Sequence, residues 1–151
     1  MNKMKKVAVI FIAFIMLLSL FGCDDTKTFD VNILADSLNS NLEFGEALEK
    51  SESEIAYSIY GIDSSLCTDA ALYLGSGATA DEIAVFNCVD KTSAQKVVES
   101  ANNRLAYLLE GYSSYGPSEV PKIEAAKVIT EGLTVIVCIC QNPDSVAEFI
   151  K

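Results

Sequence analysis

Cysteine is the residue type in this chain with the widest range of possible chemistry. Five cysteines are present, and four of them, Cys67, Cys88, Cys138 and Cys140, lie beyond the N-terminal segment. A cysteine can act as a nucleophile, bind a metal or form a disulfide. The chain contains no histidine, so Ser-His-Asp and Cys-His catalytic arrangements are excluded. No two cysteines have the C-x-x-C spacing of a zinc site, so we predict no metal site.

Cys67 and Cys88 flank a predicted β-hairpin. Residues 69–74 alternate as a strand, and residues 82–89 form a second strand-like run after a glycine-rich turn. A turn centred near residues 77–78 would place Cys88 across from residues 67–69. The two thiols would then lie near disulfide distance, so Cys67 and Cys88 are the candidate disulfide. The alternative is a pair of buried free thiols that pack as small apolar groups.

Cys138 and Cys140 lie two residues apart on another predicted strand, so their side chains face the same way. Their Cα atoms would be about 6.6 Å apart, at the limit of disulfide geometry. We therefore assign these two cysteines to packing.

Two adjacent carboxylates, Asp81 and Glu82, stand at the start of the second strand. Paired carboxylates can serve acid–base catalysis or bind calcium. Neighbouring residues of a strand point to opposite faces, so these two do not converge easily. The sequence therefore favours a solvated start of a strand at this position.

The turn between the two strands, residues 75–80, has the spacing G-x-G-x-x-A. A dinucleotide-binding loop with this spacing requires a helix next, whose N-terminus would hold the pyrophosphate. The residues that follow, 83–89, are strand-like instead. A glycine-rich hairpin turn is the better interpretation, and we predict no cofactor.

Aromatic residues gather at the end of the longest predicted helix. Tyr107 and Tyr112 lie on this helix, Tyr115 follows in a proline-containing loop, and Arg104 is nearby. Tyrosine and arginine are enriched in recognition surfaces. Tyr112 belongs to the apolar stripe of the helix and is expected in the core. Tyr115 and Arg104 are therefore the candidate contact residues for a protein or small-molecule partner whose identity stays open.

Hydrophobic periodicity predicts the helices and strands that must position these residues. The predicted helices are 31–42, 51–60, 90–112 and 143–150, and the predicted strands are 69–74, 82–89, 123–130 and 133–140. Ser51 and Glu54 have capping-box spacing at the start of the second helix. We predict a single α+β domain over residues 30–151. Two short helices precede two ββα units, which form a four-stranded antiparallel sheet of possible order 1-2-4-3 with the long helix packed on one face.

The N-terminus has the features of an export signal. Three lysines precede an apolar run over residues 7–21, which leads to Gly22 and Cys23. This segment resembles bacterial lipoprotein signals, in which Leu, a small residue, Gly or Ala, and then Cys follow one another; Phe21 departs from that pattern. The resemblance implies a signal peptide over residues 1–22 and diacylglycerol on the sulfur of Cys23. An uncleaved membrane helix is the alternative, although a span needs about 20 apolar residues and this run is shorter.

Both alternatives place the folded domain outside the cytoplasmic membrane. We predict a lipid-anchored protein on the extracellular face of the cell membrane, with membrane lipid as a partner through acylated Cys23. Residues 23–29 would form the tether. Durable anchoring takes more than one acyl chain, and a diacylglyceryl group supplies two.

The net charge limits the other partners. Removal of residues 1–22 leaves 129 residues with 8 basic and 21 acidic side chains, a net charge of −13. Nucleic acid and anionic lipid surfaces repel such a charge, so both are disfavoured. Solubility explains the acidic balance best.

Three further segments carry a resemblance to a known family. Residues 81–86 read DEIAVF, residues 103–105 read NRL, and residues 115–123 read YGPSEVPKI. Together they resemble the domain-of-unknown-function 4358 family, whose members are small lipoproteins of Gram-positive bacteria. The resemblance extends over about residues 55–150. It implies an exported lipoprotein without an assigned activity, and it supplies no catalytic residue.

These observations predict a membrane-anchored extracytoplasmic lipoprotein that is not an enzyme and that binds a ligand or partner or has a structural role in the envelope. The alternative is a thiol-redox accessory protein that uses Cys67 and Cys88, which requires an exposed cysteine of low pKa. A carboxylate-based hydrolase of wall polymers would need two converging carboxylates beside a cleft, and the spacing does not supply them.

Overall fold

The computed structural model describes residues 26–150, so the predicted signal peptide, residues 1–22, and Cys23 lie outside the described residues. The helices are α1 (Val31–Asn41), α2 (Ser53–Tyr60), α3 (Lys91–Tyr115) and α4 (Val120–Ala125). The strands are β1 (Glu49–Ser51), β2 (Cys67–Leu74), β3 (Glu82–Cys88), β4 (Lys127–Glu131) and β5 (Thr134–Ile139). The 3₁₀ segments are Ser64–Leu66, Pro117–Glu119 and Pro143–Ile150, and the last of these lies where the sequence predicts a helix. None of the helices within residues 26–150 is long and apolar enough to cross a membrane.

The strands form one antiparallel sheet in the order β1-β2-β3-β5-β4. The four strands expected from the sequence are present, and their order, β2-β3-β5-β4, is the predicted 1-2-4-3. The prediction of a four-stranded sheet is wrong, because β1 adds a fifth strand at the edge of β2. With only three residues, Glu49–Ser51, β1 is too short for an alternating pattern to reveal it.

The second helix begins later than the capping-box spacing predicts. Ser51 is the last residue of β1, where it pairs with Leu72, and α2 begins at Ser53. The hydroxyl of Ser53 donates a hydrogen bond to the carbonyl of Ala70 at 2.9 Å. Pairing with the sheet therefore takes priority over the local capping preference of residues 51–54.

The segment before β4 is helical where the sequence predicts the start of a strand. Residues 123–125 belong to α4, and β4 begins at Lys127. Pro117 and Pro121 lie in the first turns of the 3₁₀ segment and of α4. Proline is favoured in a first turn because its fixed φ suits a helix. The N–H that proline lacks would have no acceptor within the helix at this position. The helical turn buries Ile123 beside Ile139 of β5.

Helices cover both faces of the sheet. On one face α1 and the last 3₁₀ segment pack around Leu34, Leu38, Ile83, Val85, Ile136 and Val146. On the other face α2 and α3 pack around Leu72, Phe86, Ala94, Val97, Ala101 and Val137. Each residue of β3 and β5 is buried, as expected of interior strands that are covered on both sides. The predicted position of the long helix across one face is confirmed, and the described residues leave neither face of the sheet open.

The two ends of the sheet have different structures. At the hairpin end, residues 75–81 connect β2 to β3, and α3 finishes beside this loop. At the strap end, residues 26–30, which we call the strap, run along the turn between β4 and β5. Both α1 and α3 begin at the strap end, with Asp30 and Asp90 as their N-caps, and run toward the hairpin end.

Candidate functional site

The glycine-rich segment forms the hairpin loop that the sequence predicts, and a carboxylate holds it in place. Gly77 adopts a φ of +91°, which favours glycine. The Glu46 carboxylate accepts hydrogen bonds from the backbone N–H of Thr79 at 3.2 Å and from its hydroxyl at 2.8 Å. Hydrogen bonds from Ser76 and then from Thr79 lower the pKa of Glu46 to about 2. The loop is therefore fixed by an ionised carboxylate.

The expectation that Asp81 and Glu82 are solvated is wrong. Each is only 2% exposed, at the point where the hairpin loop enters β3. Their carboxylates contact different cations: Asp81 pairs with Lys122, and Glu82 pairs with Arg104. The two carboxylates therefore do not converge on one partner, as the sequence predicts. Burial is possible because each carboxylate is ionically paired and hydrogen-bonded.

Glu82 forms a buried cluster with Arg104 and Tyr60. Its Oε2 lies 2.7 Å from Nη2 of Arg104, while its Oε1 accepts from Nε of Arg104 at 3.4 Å and from the hydroxyl of Tyr60 at 2.5 Å. Burial and the Glu82 charge raise the pKa of Tyr60 well above its ordinary value, so this hydroxyl keeps its proton. Burial alone would lower the pKa of Arg104, but the bond and charge of Glu82 outweigh it and raise that pKa. The cluster joins α2, β3 and α3.

Lys122 forms a second buried cluster on the neighbouring side of the loop. Its Nζ lies 2.8 Å from Asp81 and 2.7 Å from Glu119. Asp81 also accepts from the backbone N–H of Gly45 at 2.7 Å, and Glu119 accepts from that of Ala80 at 2.9 Å. Burial would lower the pKa of Lys122, but the two carboxylates outweigh it and raise that pKa. The cluster fastens the hairpin loop to α4 and to the segment before β1.

A cleft of about 270 Å³ opens between the hairpin loop and the end of α3. Its walls include the loop backbone, the Glu82–Arg104 pair, Tyr112 and Tyr115. Tyr112 is buried, as predicted, and its hydroxyl contacts the carbonyl oxygens of Gly77, at 3.1 Å, and Thr79. The Tyr115 ring packs on Tyr112 with centroids 4.7 Å apart. The cleft therefore combines an aromatic wall with fixed polar groups.

The two candidate contact residues, Tyr115 and Arg104, both line this cleft. Tyr115 is 67% exposed, although it is the last residue of α3 rather than part of the loop that follows. Arg104 is mostly buried and is committed to Glu82, while the exposed ring of Tyr107 lies 5.9 Å from its guanidinium carbon. Sequence reasoning missed the role of Tyr60, because its position on the apolar stripe of α2 indicates only core packing.

A larger groove, of about 440 Å³, lies at the strap end between the start of α3 and the β4–β5 turn. Aliphatic groups such as Ala94 and Val98 form much of its wall. It has no buried ion pair and no aromatic side chain among its lining residues. We therefore place the candidate functional site at the smaller cleft, where several polar groups and tyrosines converge.

The candidate disulfide residues lie opposite each other, as the predicted register requires. Cys67 and Cys88 are partners across β2 and β3, next to a register shift, and both are free thiols in this structure. Cys67 is half-buried, and a hydrogen bond from the Cys88 thiol lowers its pKa. The disulfide itself stays a prediction.

Cys138 and Cys140 are buried on and just after β5. Cys138 lies across from Ile83, toward the hairpin end, and therefore away from Cys88. A hydrogen bond from Cys138 lowers the pKa of Cys140. Within residues 26–150 no group of three or more cysteine or acidic side chains is placed to hold a metal ion.

The protein is a small α+β domain with a five-stranded antiparallel sheet and helices on both faces of the sheet. Its cleft is built on buried ion pairs. The sequence model of one family, Domain of unknown function (DUF4358), matches residues 40–140. The chain belongs to this family. No curated protein and no solved structure matches the chain. The matched range contains all five strands and both buried ion clusters.

Proposed function

We propose that this protein is a membrane-anchored extracytoplasmic lipoprotein whose folded domain binds a small ligand in the hairpin-end cleft without transforming it. The observation that carries the binding role is the cleft itself, where an exposed tyrosine faces polar groups that are already fixed in place. Binding sites of this kind are concave, mostly preformed, and supplied with a few well-placed polar groups. The lipoprotein part of the proposal comes from residues 1–23 of the sequence.

Binding is favoured over catalysis because the charged groups around the cleft are already paired with one another. Arg104 is bound to Glu82, and Lys122 is bound to both Asp81 and Glu119. The surrounding charges hold the protons of Tyr60 and Lys122 firmly, since both pKa values are raised. A general acid or base works best with a pKa near the working pH, which neither of these groups has.

The chemistry of the walls favours a neutral, polar ligand with a ring. The carboxylates Glu46, Asp81, Glu82 and Glu119 outnumber the cations Arg104 and Lys122 at this end, so an anionic ligand is disfavoured, and each cation is already paired. The hairpin loop and the Arg104–Glu82 pair supply the polar part of the wall, and the Tyr115 ring offers an apolar face. A single saccharide unit combines hydroxyl groups with an apolar ring face, and its size is suited to a volume of about 270 Å³. We therefore propose carbohydrate as the ligand class.

Titration of the purified full-length protein in detergent micelles with a panel of mono- and disaccharides tests the binding role. We expect at least one saccharide to bind, and Tyr115→Ala to weaken that binding by about tenfold, because a well-packed aromatic contact is worth more than 1 kcal/mol. Tyr107→Ala is the matched control, since Tyr107 is similarly exposed at 69% but does not line the cleft. Equal affinities for both variants, or no saccharide binding at all, would contradict the proposed site.

Cys67 and Cys88 support a second candidate function, that of a thiol-redox accessory protein. They lie directly opposite each other, and the pKa of the half-buried Cys67 is lowered. A low pKa favours the thiolate that attacks a disulfide. Thiol counting on the denatured, unreduced protein decides whether the pair oxidises. Four reactive thiols besides Cys23 in the unreduced protein rule the disulfide out. Two reactive thiols before reduction and four after it support the disulfide.

A further inference from the structure

The strap fixes the place at which the chain enters the folded domain. The backbone N–H of Leu133 donates to the carbonyl of Lys27 at 2.9 Å, and Phe29 is bound through both of its backbone groups. Its N–H donates to the hydroxyl of Thr134 at 3.2 Å, and its carbonyl accepts from the Asn87 side chain at 2.7 Å. Asn87 and Thr134 are themselves buried and joined by a bond of 2.6 Å. The entry point is therefore part of the packed structure.

The position of Cys23 in the sequence limits how far a lipid anchor can lie from this entry point. Cys23 precedes Lys27 by four residues. Four residues span at most about 14 Å even when fully extended. A bilayer that holds a lipid on Cys23 must therefore lie within that distance of the strap end.

The strap end carries exposed aliphatic side chains, which are favourable close to a bilayer. Ile33, in the first turn of α1, is 70% exposed, and Val89, just before α3, is 47% exposed. Two of the other large exposed apolar side chains, Tyr107 and Tyr115, are nearer the opposite end of α3. Isolated exposed apolar residues need no explanation in a free protein, but here two of them flank the point nearest the anchor.

The charges at the strap end are mixed. Lys27 and Lys91 offset two of the three negative charges of Asp30, Asp90 and Glu131, and Lys27 pairs with Glu131 at 3.5 Å. This end therefore avoids much of the repulsion that the acidic chain as a whole would meet at an anionic surface. It fits the interface of a zwitterionic lipid, where apolar side chains enter the boundary between headgroups and acyl chains.

The geometry points to a fixed orientation: the strap end rests on the bilayer, with Ile33 and Val89 at the lipid interface, and the cleft faces away from the membrane. Because α3 has 25 residues, it spans about 37 Å from the strap end to the hairpin end. This inference rests on the lipid anchor of the proposed function and adds to it the surface that meets the membrane. The cleft would then face ligands that arrive from outside.

The absence of tryptophan from the chain makes a direct test possible. Single variants Ile33→Trp, Val89→Trp and Tyr107→Trp are prepared in the full-length, lipid-modified protein and reconstituted into phosphatidylcholine vesicles with brominated acyl chains. We expect about threefold stronger quenching of the tryptophans at positions 33 and 89 than at position 107, because interfacial side chains enter the lipid by several ångströms. Equal quenching at all three positions, or none at 33 and 89, would overturn the orientation.

Two further measurements distinguish failure of the lipid anchor from failure of the proposed orientation. Incorporation of radiolabelled palmitate is measured on the same samples: an unlabelled protein overturns the lipid anchor, and with it this inference, whereas a labelled protein with unquenched tryptophans overturns the orientation alone. Hydrogen exchange of the unsubstituted protein gives an answer that does not depend on a variant folding. We expect slower exchange near Ile33 and Val89 on vesicles than in detergent, and unchanged exchange there would also overturn the orientation.

Discussion

The hairpin end and the strap end of the sheet are held together by different kinds of interaction. At the hairpin end the contacts are ionic, with Glu82 bound to Arg104 and Lys122 bound to two carboxylates. At the strap end the buried contacts are neutral hydrogen bonds from Asn87 and Thr134, together with a close approach of two backbone segments, and the Lys27–Glu131 ion pair there is exposed. Every buried side-chain polar atom within residues 26–150 has a partner. The hairpin end therefore presents directed polar groups at the cleft, while the strap end mainly fastens the chain.

The largest loss of stability is expected for Glu82→Leu at the hairpin end. This substitution leaves Arg104 without its carboxylate in a mostly buried position and removes the acceptor of the Tyr60 hydroxyl. We expect the free energy of unfolding to fall by about 3–5 kcal/mol, as measured by chemical denaturation. Glu131→Leu at the strap end is the control, because its exposed pair with Lys27 contributes about 0–1 kcal/mol. Similar losses for the two variants would show that the buried pair does not organise the hairpin end.

The next largest effect is expected at the strap end, for Gly132→Ala. A Cβ at this position would lie 2.1 Å from the carbonyl oxygen of Lys27, so the strap must shift. Gly61→Ala is a matched control, since its φ of +62° resembles the +59° of Gly132 but nothing lies within 4 Å of its Cβ. We expect a loss of about 2–4 kcal/mol for Gly132→Ala against about 1–2 kcal/mol for Gly61→Ala. Equal melting temperatures for the two variants would contradict the close packing of the strap.

A smaller effect is expected for Tyr112→Phe, which tests the neutral contacts within the hairpin end. The substitution keeps the buried ring but removes the hydroxyl that contacts the carbonyls of Gly77 and Thr79. We expect a loss of about 0.5–1.5 kcal/mol in the free energy of unfolding. Tyr107→Phe, on an exposed ring of the same helix, should change it by less than about 0.5 kcal/mol. If the two variants behave alike, the hydroxyl does not hold the loop.

The smallest effect is a dependence on pH that originates in Glu46. Hydrogen bonds from Ser76 and Thr79 lower its pKa in the folded protein from 4.5 to about 2. A lowered folded-state pKa contributes stability above the unfolded value, and that contribution is lost as the pH falls from about 4.5 to about 2. Chemical denaturation across this interval should show stability falling with pH, and Glu46→Gln should flatten part of the slope. An unchanged slope would show that other carboxylates account for it.

The sequence predicts the features that depend on local pattern and misses those that depend on distant partners. The apolar stripe of α3 and the register between Cys67 and Cys88 follow from spacing alone, and both are present. The burial of Asp81 and Glu82 is not predictable in this way, because their cations lie 41 and 22 residues away. From the sequence alone, a charged residue at the start of a strand is expected to be exposed to solvent, because its partner is not known. Likewise, the three residues of β1 acquire their structure only from the edge of β2.

The edge strand β1 has a consequence for molecules that are held at high local concentration. A long, flat, apolar edge would invite the sheet of one copy to continue into the sheet of the next. Here the edge is three residues long, and Glu49 and Lys50 are both exposed on it. The Lys50 ammonium lies 3.0 Å from a carboxylate oxygen of Asp36, which keeps a charge pair beside the open backbone. The β1 edge therefore offers little backbone for strand pairing between copies that are crowded together on one surface.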